Sequence, residues 1–331
     1  MKSVRLHGTG DLQIHDESIP APVEGEKLVC VKAVGVCGSD LHWFSEGGIG
    51  DAQLKHPLVL GHEFAGITEA GARVAIDPAI PCGCCEWCEK GHPNLCANLK
   101  FAGHGTQDGA LREFISWPQK CMHTLPASIS DADGAMLEPL GVAIHSIDLG
   151  KIKTGMRVGV FGCGPIGLLI IQLAKLSGAI QIIATDKLVH RVEAAKRFGA
   201  SQAFLVEDNS RLRETRAAVK ERGVDIAFEA AGEQEAVDDA FAAVLPGGKV
   251  ILVGIPDDDK TSFSASTARR KGLTIKLVRR MKHIYPRAIE LVSNGLIDVR
   301  SLVTHRFPLN QAVEAFRFAA RREGLKVMIE M

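Results

Sequence analysis

The residues with the clearest chemistry are closely spaced cysteines. Cys82, Cys85, Cys88 and Cys96 form a C-x2-C-x2-C-x7-C run in the 331-residue chain. Four thiolates at this spacing suit a closed, tetrahedral Zn2+ site. A disulfide pair or unpaired buried thiols are the alternatives, and the repeated two-residue spacing disfavours both. Cys84 falls outside the register, so we predict a structural zinc that excludes it.

A second set of candidate ligands is spread along the chain: Cys37, His62, Glu63 and Glu138. Taken singly, His62 is well explained as a core histidine and Glu138 as a helix-capping carboxylate. Together they supply thiolate, imidazole and carboxylate ligands and leave a coordination position for water or substrate. Zinc in such a site lowers the pKa of a bound hydroxyl, which prepares the alkoxide to lose hydride.

A glycine run marks a nucleotide site. Gly162-x-Gly164-x-x-Gly167 follows an apolar strand at Arg157–Phe161 and opens a helix at Ile166–Leu176. In this context the first glycine permits a tight turn, the second lets the backbone approach a pyrophosphate, and the third lets helix and strand pack closely. The helix N-terminus supplies N–H groups to the phosphates.

Asp186 closes the next strand about 20 residues further on, where a carboxylate binds the adenosine ribose diol. Its alternative role is the N-cap of the following helix. A carboxylate there repels a 2′-phosphate, so the sequence favours NAD over NADP, although Lys187 and Arg191 lie nearby. The residues predicted to bind NAD here are Gly162, Gly164, Pro165, Ile166, Gly167, Asp186, Arg191, Val253, Gly254 and Ile255.

The candidate groups lie in two regions of the sequence that have different residue patterns. Residues 1 to about 135 contain short apolar runs between Gly- and Pro-rich connections, which indicates an irregular β-rich domain. From Met156 onward, strands and helices alternate, which predicts a parallel, doubly wound α/β sheet. Its remaining elements are predicted at Ala179–Thr185, Val189–Phe198, Val224–Phe228, Lys249–Val253 and Leu273–Leu277. The last strand, Lys326–Ile329, is expected to return to the first domain, so we place the domains at 1–140 with 282–331, and at 141–281.

Bulk composition excludes several classes of function. Lys plus Arg equals Asp plus Glu at 39 each, so no overall field attracts nucleic acid or anionic lipid. The N-terminal segment lacks the apolar core of a signal peptide, and no apolar stretch approaches the ~20 residues of a membrane span. Clustered cysteines without an export signal favour metal over disulfides. We therefore expect a cytoplasmic protein with no nucleic-acid or membrane partner.

The motifs together resemble a known family. The matching segments are Val36–His42, Glu46–Asp51, Pro57–Glu63, Leu137–His145, and Arg280 shortly before Tyr285–Ala288. Over essentially its whole length the chain resembles the zinc-dependent medium-chain alcohol dehydrogenases, and within them the polyol (sorbitol or L-iditol) dehydrogenases. The resemblance implies a GroES-like β-rich catalytic domain, a doubly wound Rossmann domain that binds NAD, and an active site in the cleft between them.

The resemblance also implies roles for single residues. Cys37, His62 and Glu63 would hold the catalytic zinc, while Glu138 would hold its water or take a position on the metal. With the four-cysteine site, this makes two Zn2+ per chain. Ser39 would accept the substrate proton and pass it through the nicotinamide ribose to His42 and solvent. The residues expected to contact substrate are Trp43, Glu138 and Arg280, and Arg280 would also contact the NAD cofactor.

Two departures from the family pattern stand out. The segment from Gly66 to Arg73 is shorter than the usual hairpin, and no ligand position is lost with it. Trp43 stands where the family usually has tyrosine, and Met281 follows Arg280 where tyrosine is common. These substitutions leave the identity of the polyol open.

The expected reaction is reversible, NAD-linked oxidation of a secondary hydroxyl of a sugar alcohol to a ketose by a homo-oligomer, dimeric or tetrameric. The nearest alternative is an L-idonate-like sugar-acid 5-dehydrogenase; threonine and butanediol dehydrogenases are more distant ones. A non-catalytic nucleotide-binding protein is disfavoured, because such a protein needs none of Cys37, Ser39, His62 and Glu63.

Overall fold

The computed structural model describes residues 1–206 and 223–331. The chain forms two compact units. Residues Met1–Gly141 and Lys282–Met331 make the first, and Val142–Met281 makes the second. The first unit is therefore built from two separate stretches of sequence, whereas the second is continuous.

Strands dominate the first unit. They are β1 (Lys2–Gly8), β2 (Asp11–Asp16), β3 (Glu26–Gly35), β4 (Gly48–Ile49), β5 (Ala52–Gln53), β6 (Leu58–Val59), β7 (Glu63–Thr68), β8 (Arg73–Ile76), β9 (Ala79–Ile80), β10 (Lys100–Phe101), β11 (Phe114–Pro118), β12 (Met122–Thr124), β19 (Val303–Pro308) and β20 (Lys326–Glu330). Many span only two to six residues, as the sequence predicted for an irregular β-rich domain.

The main sheet of this unit has seven strands in the order β12-β8-β7-β3-β20-β19, with β11 pairing to β3. The long strand β3 is its organising element, because it pairs with β7, β11 and β20. Apolar side chains such as Val29, Val31 and Phe64 are buried against the sheet and form the unit's core. The final strand β20 pairs with β3 in this sheet, where the sequence analysis expected the chain to return.

Short helices connect these strands. They are α1 (Gly38–Glu46), α2 (Glu86–Glu89), α3 (Asp131–Ala135), the start of α4 (Leu137–Gly150), α9 (Tyr285–Ser293) and α10 (Ala312–Ala320), with 3-10 turns at Pro93–Leu95, Gln119–Cys121, Arg300–Leu302 and Leu309–Gln311. Helix α1 begins at a capping box in which Cys37 is the N-cap and Asp40 lies at the third helical position. This cap brings two polar side chains to the end of β3.

The second unit is a parallel sheet flanked by helices. Its strands are β13 (Arg157–Phe161), β14 (Gln181–Asp186), β15 (Gln202–Leu205), β16 (Val224–Glu229), β17 (Val244–Leu252) and β18 (Thr274–Leu277), and its helices are the remainder of α4, α5 (Pro165–Leu176), α6 (Val189–Phe198), α7 (Gln234–Ala243) and α8 (Ala265–Lys271). The order β15-β14-β13-β16-β17-β18 is the doubly wound Rossmann topology, whose strand order reverses between β13 and β16. The predicted α/β fold class is confirmed.

Element bounds in this unit follow the predictions closely at β13 and α6, both of which match residue for residue. Helix α6 ends at Gly199, whose φ of 117° is left-handed. Two features were missed. Strand β15 was not predicted, and β17 begins at Val244 rather than Lys249, because Pro246, Gly247 and Gly248 interrupt the apolar pattern where the pairing with β16 is irregular.

No helix within residues 1–206 and 223–331 combines the length and the apolarity that crossing a bilayer requires.

Candidate active site

Three predicted ligands converge in the first unit. Cys37 lies just beyond the end of β3, and His62 and Glu63 lie at the start of β7. Because Gly35 of β3 pairs with Glu63 of β7, the pairing of these two strands brings the ligands together. One donor atom of each lies within 4.8 Å of the others. The half-buried thiol, with a buried imidazole and carboxylate, fits Zn2+ with a position left open for substrate.

Asp40 fixes the orientation of His62. Its Oδ1 lies 3.3 Å from Nδ1 of His62 and accepts a hydrogen bond from the Gly61 N–H at 3.2 Å. Its Oδ2 accepts from the Cys37 N–H at 3.0 Å. Since Nδ1 is engaged, Nε2 of His62 is the nitrogen available to a metal, which is the arrangement that metal-ligating histidines use. Sequence analysis missed Asp40, although its position three residues after Cys37 matched a helix cap.

The buried charges in this cluster shift one another's pKa values. Burial lowers the pKa of His62, but the carboxylate of Asp40 and the sulfur of Cys37 outweigh it and raise the pKa well above the usual value. Burial raises the pKa of Asp40, and the opposing effect of His62 brings it below its usual value. The two side chains therefore stabilise each other's charged forms.

Lys326 is a second residue that sequence analysis missed. Its Nζ forms an ion pair with Oε2 of Glu63, and the two side chains are only 3% and 1% exposed. Burial lowers the pKa of Lys326, but Glu63 and Cys37 raise it above the usual value. Lys326 therefore carries its charge at neutral pH inside the sheet.

The predicted proton-transfer residues lie on α1. The Oγ of Ser39 is 3.4 Å from Nε2 of His62, which places the hydroxyl at the ligand group. His42 lies one turn further along, with its Nδ1 3.1 Å from Oε1 of Glu46 and its side chain 13% exposed. The helix thus carries a hydroxyl beside the ligands and an imidazole closer to solvent.

The other predicted site residues are placed differently. Glu138 is buried in the first turn of α4, and among the described residues it is not a member of the Cys37–His62–Glu63 group. Trp43 is buried within the core of the first unit. Arg280 belongs to the second unit and has a left-handed φ of 52°, which costs a non-glycine residue conformational energy.

Aromatic rings link Trp43 to the ligand group. Phe101 lies with its ring centroid 5.1 Å from that of His62, and His104 lies 5.4 Å from Trp43 in an edge-to-face arrangement. Phe101 and His104 are themselves 6.4 Å apart. Sequence analysis missed both, because no motif marks the segment that contains them.

The four cysteines predicted to bind the structural zinc also lie together. The sulfurs of Cys82, Cys85, Cys88 and Cys96 all lie within 4.8 Å of one another, and Cys84 is not in the group. The Cys85–Cys88 and Cys96–Cys82 sulfur pairs are each 3.5 Å apart, too long for a disulfide. A tetrahedron with Zn–S bonds of ~2.3 Å has edges of ~3.8 Å, so the group fits zinc. Backbone N–H groups and the Cys96 thiol lower the pKa of Cys82 to about 6, whereas burial raises the pKa of Cys88 to about 12, so without a metal the thiols of the group do not ionise together.

The glycine loop of the second unit follows β13. Gly162 has a φ of 101°, and a Cβ on Gly167 would lie 1.9 Å from the carbonyl oxygen of Gly162. Asp186 holds this loop directly, because its Oδ2 accepts a hydrogen bond from the Cys163 N–H at 2.8 Å and its Oδ1 accepts one from the Leu188 N–H at 2.9 Å. The carboxylate that the sequence assigned to the ribose thus lies against the glycine turn of the predicted nucleotide site.

The basic residues near Asp186 face carboxylates. Lys187 forms an ion pair with Glu233, and its Nζ lies 3.8 Å from Glu235. The guanidinium of Arg191 approaches Oδ2 of Asp186 at 4.0 Å. Both cations are therefore partly neutralised by neighbouring acidic groups.

Glu229, at the end of β16, was missed by sequence analysis. Its buried Oε1 accepts hydrogen bonds from the N–H groups of Ala231 and Gly232, both at 2.7 Å. Its main-chain oxygen accepts from Val253 and Gly254 at 2.8 and 3.1 Å. Burial raises the pKa of its carboxyl, and the N–H groups of Gly232 and Ala231 oppose this rise without cancelling it. Glu229 thus joins two loops at the carboxyl edge of the sheet, one of which contains the predicted cofactor residues Val253 and Gly254.

Comparison with protein families agrees with this organisation. Residues 23–127 match the alcohol dehydrogenase GroES-like domain, and residues 165–294 match the zinc-binding dehydrogenase model. The first match lies within the β-rich unit, and the second covers most of the Rossmann unit and extends beyond it.

Individual relatives cover nearly the whole chain. Sorbitol dehydrogenase of Bacillus subtilis is 35% identical over 99% of this chain and 97% of its own length. The crystal structure of L-idonate 5-dehydrogenase from Escherichia coli superimposes with a TM-score of 0.90 at 27% identity, covering 100% of this chain and 98% of that one. A zinc-binding dehydrogenase from Sinorhizobium meliloti, solved with NADP bound, gives a TM-score of 0.88 at 30% identity over 100% and 99% of the two chains.

The fold and ligand groups are those of a metal-dependent, nucleotide-linked oxidoreductase. The chain belongs to the zinc-dependent medium-chain dehydrogenases, in the polyol dehydrogenase branch. Its cofactors are accordingly zinc and a nicotinamide nucleotide, and its substrate is a small molecule.

Proposed function

We propose that this protein catalyses the reversible, NAD-linked oxidation of a secondary hydroxyl of a sugar alcohol to a ketose. The observation that carries the proposal is the cluster of Cys37, His62 and Glu63, with the hydroxyl of Ser39 3.4 Å from His62. Thiolate, imidazole and carboxylate donors beside a proton-accepting hydroxyl suit alcohol oxidation. The 35% identity to a sorbitol dehydrogenase supports a polyol as substrate.

Two zinc ions per chain follow from the two ligand groups. Cys37, His62 and Glu63 would hold the catalytic ion, and Cys82, Cys85, Cys88 and Cys96 the structural one. When bound, the catalytic ion would lower the pKa of the substrate hydroxyl. Glu138, which is outside the compact ligand group, is assigned to the water or to an alternative position on the metal.

The protein's own groups would manage the proton. Ser39 accepts the substrate hydroxyl proton because its Oγ lies at the ligand group. His42 releases the proton to solvent, since its ring is partly exposed and lies one helical turn away. General acid–base steps of this kind contribute roughly 100-fold or more to rate.

NAD is the cofactor we propose, bound at the glycine loop and at Val253, Gly254 and Ile255. Asp186 lies where a ribose 2′-phosphate would be repelled, and Lys187, which would attract that phosphate, is paired with Glu233. A related dehydrogenase was solved with NADP, so cofactor preference is a property of the individual chain. Arg280 is assigned to both substrate and cofactor.

A sugar acid is the second candidate substrate. The similarity to L-idonate 5-dehydrogenase favours it, because the whole chain superimposes on that enzyme. A substrate carboxylate would require a cation, and Arg280 serves either substrate. Arg280 therefore does not distinguish a polyol from a sugar acid.

The test is a panel of polyols, sugar acids and simple alcohols assayed for NADH formation, with zinc counted per chain. We expect two zinc ions, and the highest kcat/KM for polyols with a secondary hydroxyl next to a terminal carbinol. Preference for a sugar acid would select the second candidate. A fully zinc-loaded enzyme that oxidises primary alcohols far better than any polyol would overturn both.

We also propose a cytoplasmic homo-oligomer, dimeric or tetrameric. Strand β18 lies at one edge of the six-stranded sheet, and its Leu277 is 73% exposed. An exposed edge strand that carries an apolar side chain is a surface that proteins usually cover. Light scattering would give the mass, and a monomer at micromolar concentration would contradict the proposal.

A further inference from the structure

The ion pair between Lys326 and Glu63 connects strands that are not neighbours. Lys326 lies on β20 and Glu63 on β7, and β3 runs between them in the sheet. At the crossing point β3 contributes Gly35, which pairs with Glu63 on one side and with Met328 on the other. Lys326 is two residues from Met328, so its side chain lies on the same face of the sheet as that of Glu63.

Gly35 makes this contact possible. A Cβ at that position would lie 2.2 Å from Oε2 of Glu63 and 3.0 Å from Cε of Lys326. The first distance is far shorter than any real contact of a Cβ. The missing side chain therefore leaves the space in which the two charged groups meet.

We propose that Lys326 is a positioning residue for the metal bound by Cys37, His62 and Glu63. It engages Oε2 of Glu63, which leaves Oε1 for the metal. Gly35 is required because a side chain at that position would occupy the space in which Lys326 and Glu63 meet. The inference rests on the proposed function, since it assigns a role within the same metal centre.

Two variants test the role from different directions. Lys326→Met removes the charge, whereas Gly35→Ala retains every charge and displaces Oε2 of Glu63 and the lysine from the space in which they meet. Lys2→Met, which breaks an exposed ion pair with Asp16, is the control for losing a lysine. Gly8→Ala, where a Cβ meets nothing within 4 Å, is the control for adding a methyl group at a strand glycine.

The measurements are zinc release from the two-zinc protein to a chelating dye and the visible spectrum after Co2+ substitution. We expect both test variants to bind the catalytic zinc about 10- to 100-fold more weakly, the typical effect of losing a ligand's partner. The four-cysteine zinc should be unchanged, and Cys37→Ala, which should retain only that ion, identifies which metal is released. The Co2+ spectrum should shift in the test variants and not in the controls.

Gly35→Ala decides the question even if Lys326→Met fails to fold. If it holds its catalytic zinc as tightly as Gly8→Ala and gives the same Co2+ spectrum as the unaltered protein, the proposal is wrong. Failure of the proposed function would look different. In that case the unaltered protein itself would carry only the four-cysteine zinc, or would oxidise none of the panel.

Discussion

A single carboxylate organises the candidate site of each unit. Asp40 accepts hydrogen bonds from two backbone N–H groups and holds His62, so it links the end of β3 to the start of β7. Asp186 plays a comparable part in the second unit, where it joins the glycine turn to the start of the next helix. Each carboxylate holds the backbone of its candidate site in place, so a substitution of that residue tests the site.

Replacing Ser39 tests proton transfer. Ser39→Ala should lower kcat about 100-fold at neutral pH, because it removes the group that first accepts the substrate proton. The loss should shrink at high pH, where hydroxide replaces the missing base. Ser45→Ala, at an exposed position on the same helix, serves as the control. Equal kcat for both variants across the pH range would exclude Ser39 from the chemistry.

Replacing Asp186 tests cofactor choice. Asp186→Ala should raise KM for NAD and narrow the preference for NAD over NADP, because it removes both the diol contact and the repulsion of a 2′-phosphate. The measurement is kcat/KM with each cofactor, and Glu193→Ala on the exposed face of α6 is the control. Equal efficiency with both cofactors in the unaltered enzyme would show that Lys187 and Arg191 dominate instead.

At the scale of elements, the two metal-ligand groups differ in how they are built. The candidate catalytic group depends on strand pairing, because its ligands come from the ends of β3 and β7. The four-cysteine group depends on a local loop around the one-turn helix α2, where a metal would replace the missing core. The loop should therefore depend on its metal far more than the sheet does.

Cys88→Ser should remove one zinc per chain and lower the apparent melting temperature, while the catalytic zinc remains. Loss of a structural zinc ligand removes binding energy that is also folding energy. Cys84→Ser is a closely matched control, because Cys84 is exposed and lies outside the ligand group. If Cys84→Ser lost the zinc and Cys88→Ser kept it, the ligand assignment would be wrong.

The sequence predicted the features that a local pattern marks, and it did not predict the features that arise from contacts between distant residues. Strand β13 and helix α6 were predicted residue for residue because periodicity and a terminal glycine mark them. The candidate metal ligands, which residue type and spacing mark in the sequence, lie together in two groups in the structure. Lys326 and Phe101 were missed since their roles arise only from tertiary contact with Glu63 and His62. Strand β15 was missed because it is short and partly exposed.

At the scale of the whole molecule, the predicted functions fall on separate units. The metal ligands lie in residues Met1–Gly141, and the predicted NAD-binding residues lie in Val142–Met281. The two units have their own sheets and their own hydrophobic clusters. Damage to the metal centre should therefore leave nucleotide binding largely intact.

Cys37→Ala tests this separation. It should abolish oxidation, because the catalytic zinc loses its thiolate ligand, and change the Kd for NADH by less than about threefold. NADH fluorescence titration gives the Kd, and metal analysis should find one zinc per chain. Cys30→Ala, on β3 but outside both ligand groups, is the control. Parallel loss of turnover and NADH binding would show that the two functions are not separable.

The discontinuity of the first unit has a consequence for the order of events during synthesis. Its sheet has β20 beside β3, so residues 1–141 must wait for a strand that emerges about 50 residues after the second unit is complete. At ~5–20 residues per second, that interval is roughly 3 to 10 s. During this interval the second unit is free to fold, while Glu63 lacks its ion-pair partner Lys326. We therefore expect nascent chains stalled before β19 to bind NADH but not to retain the catalytic zinc.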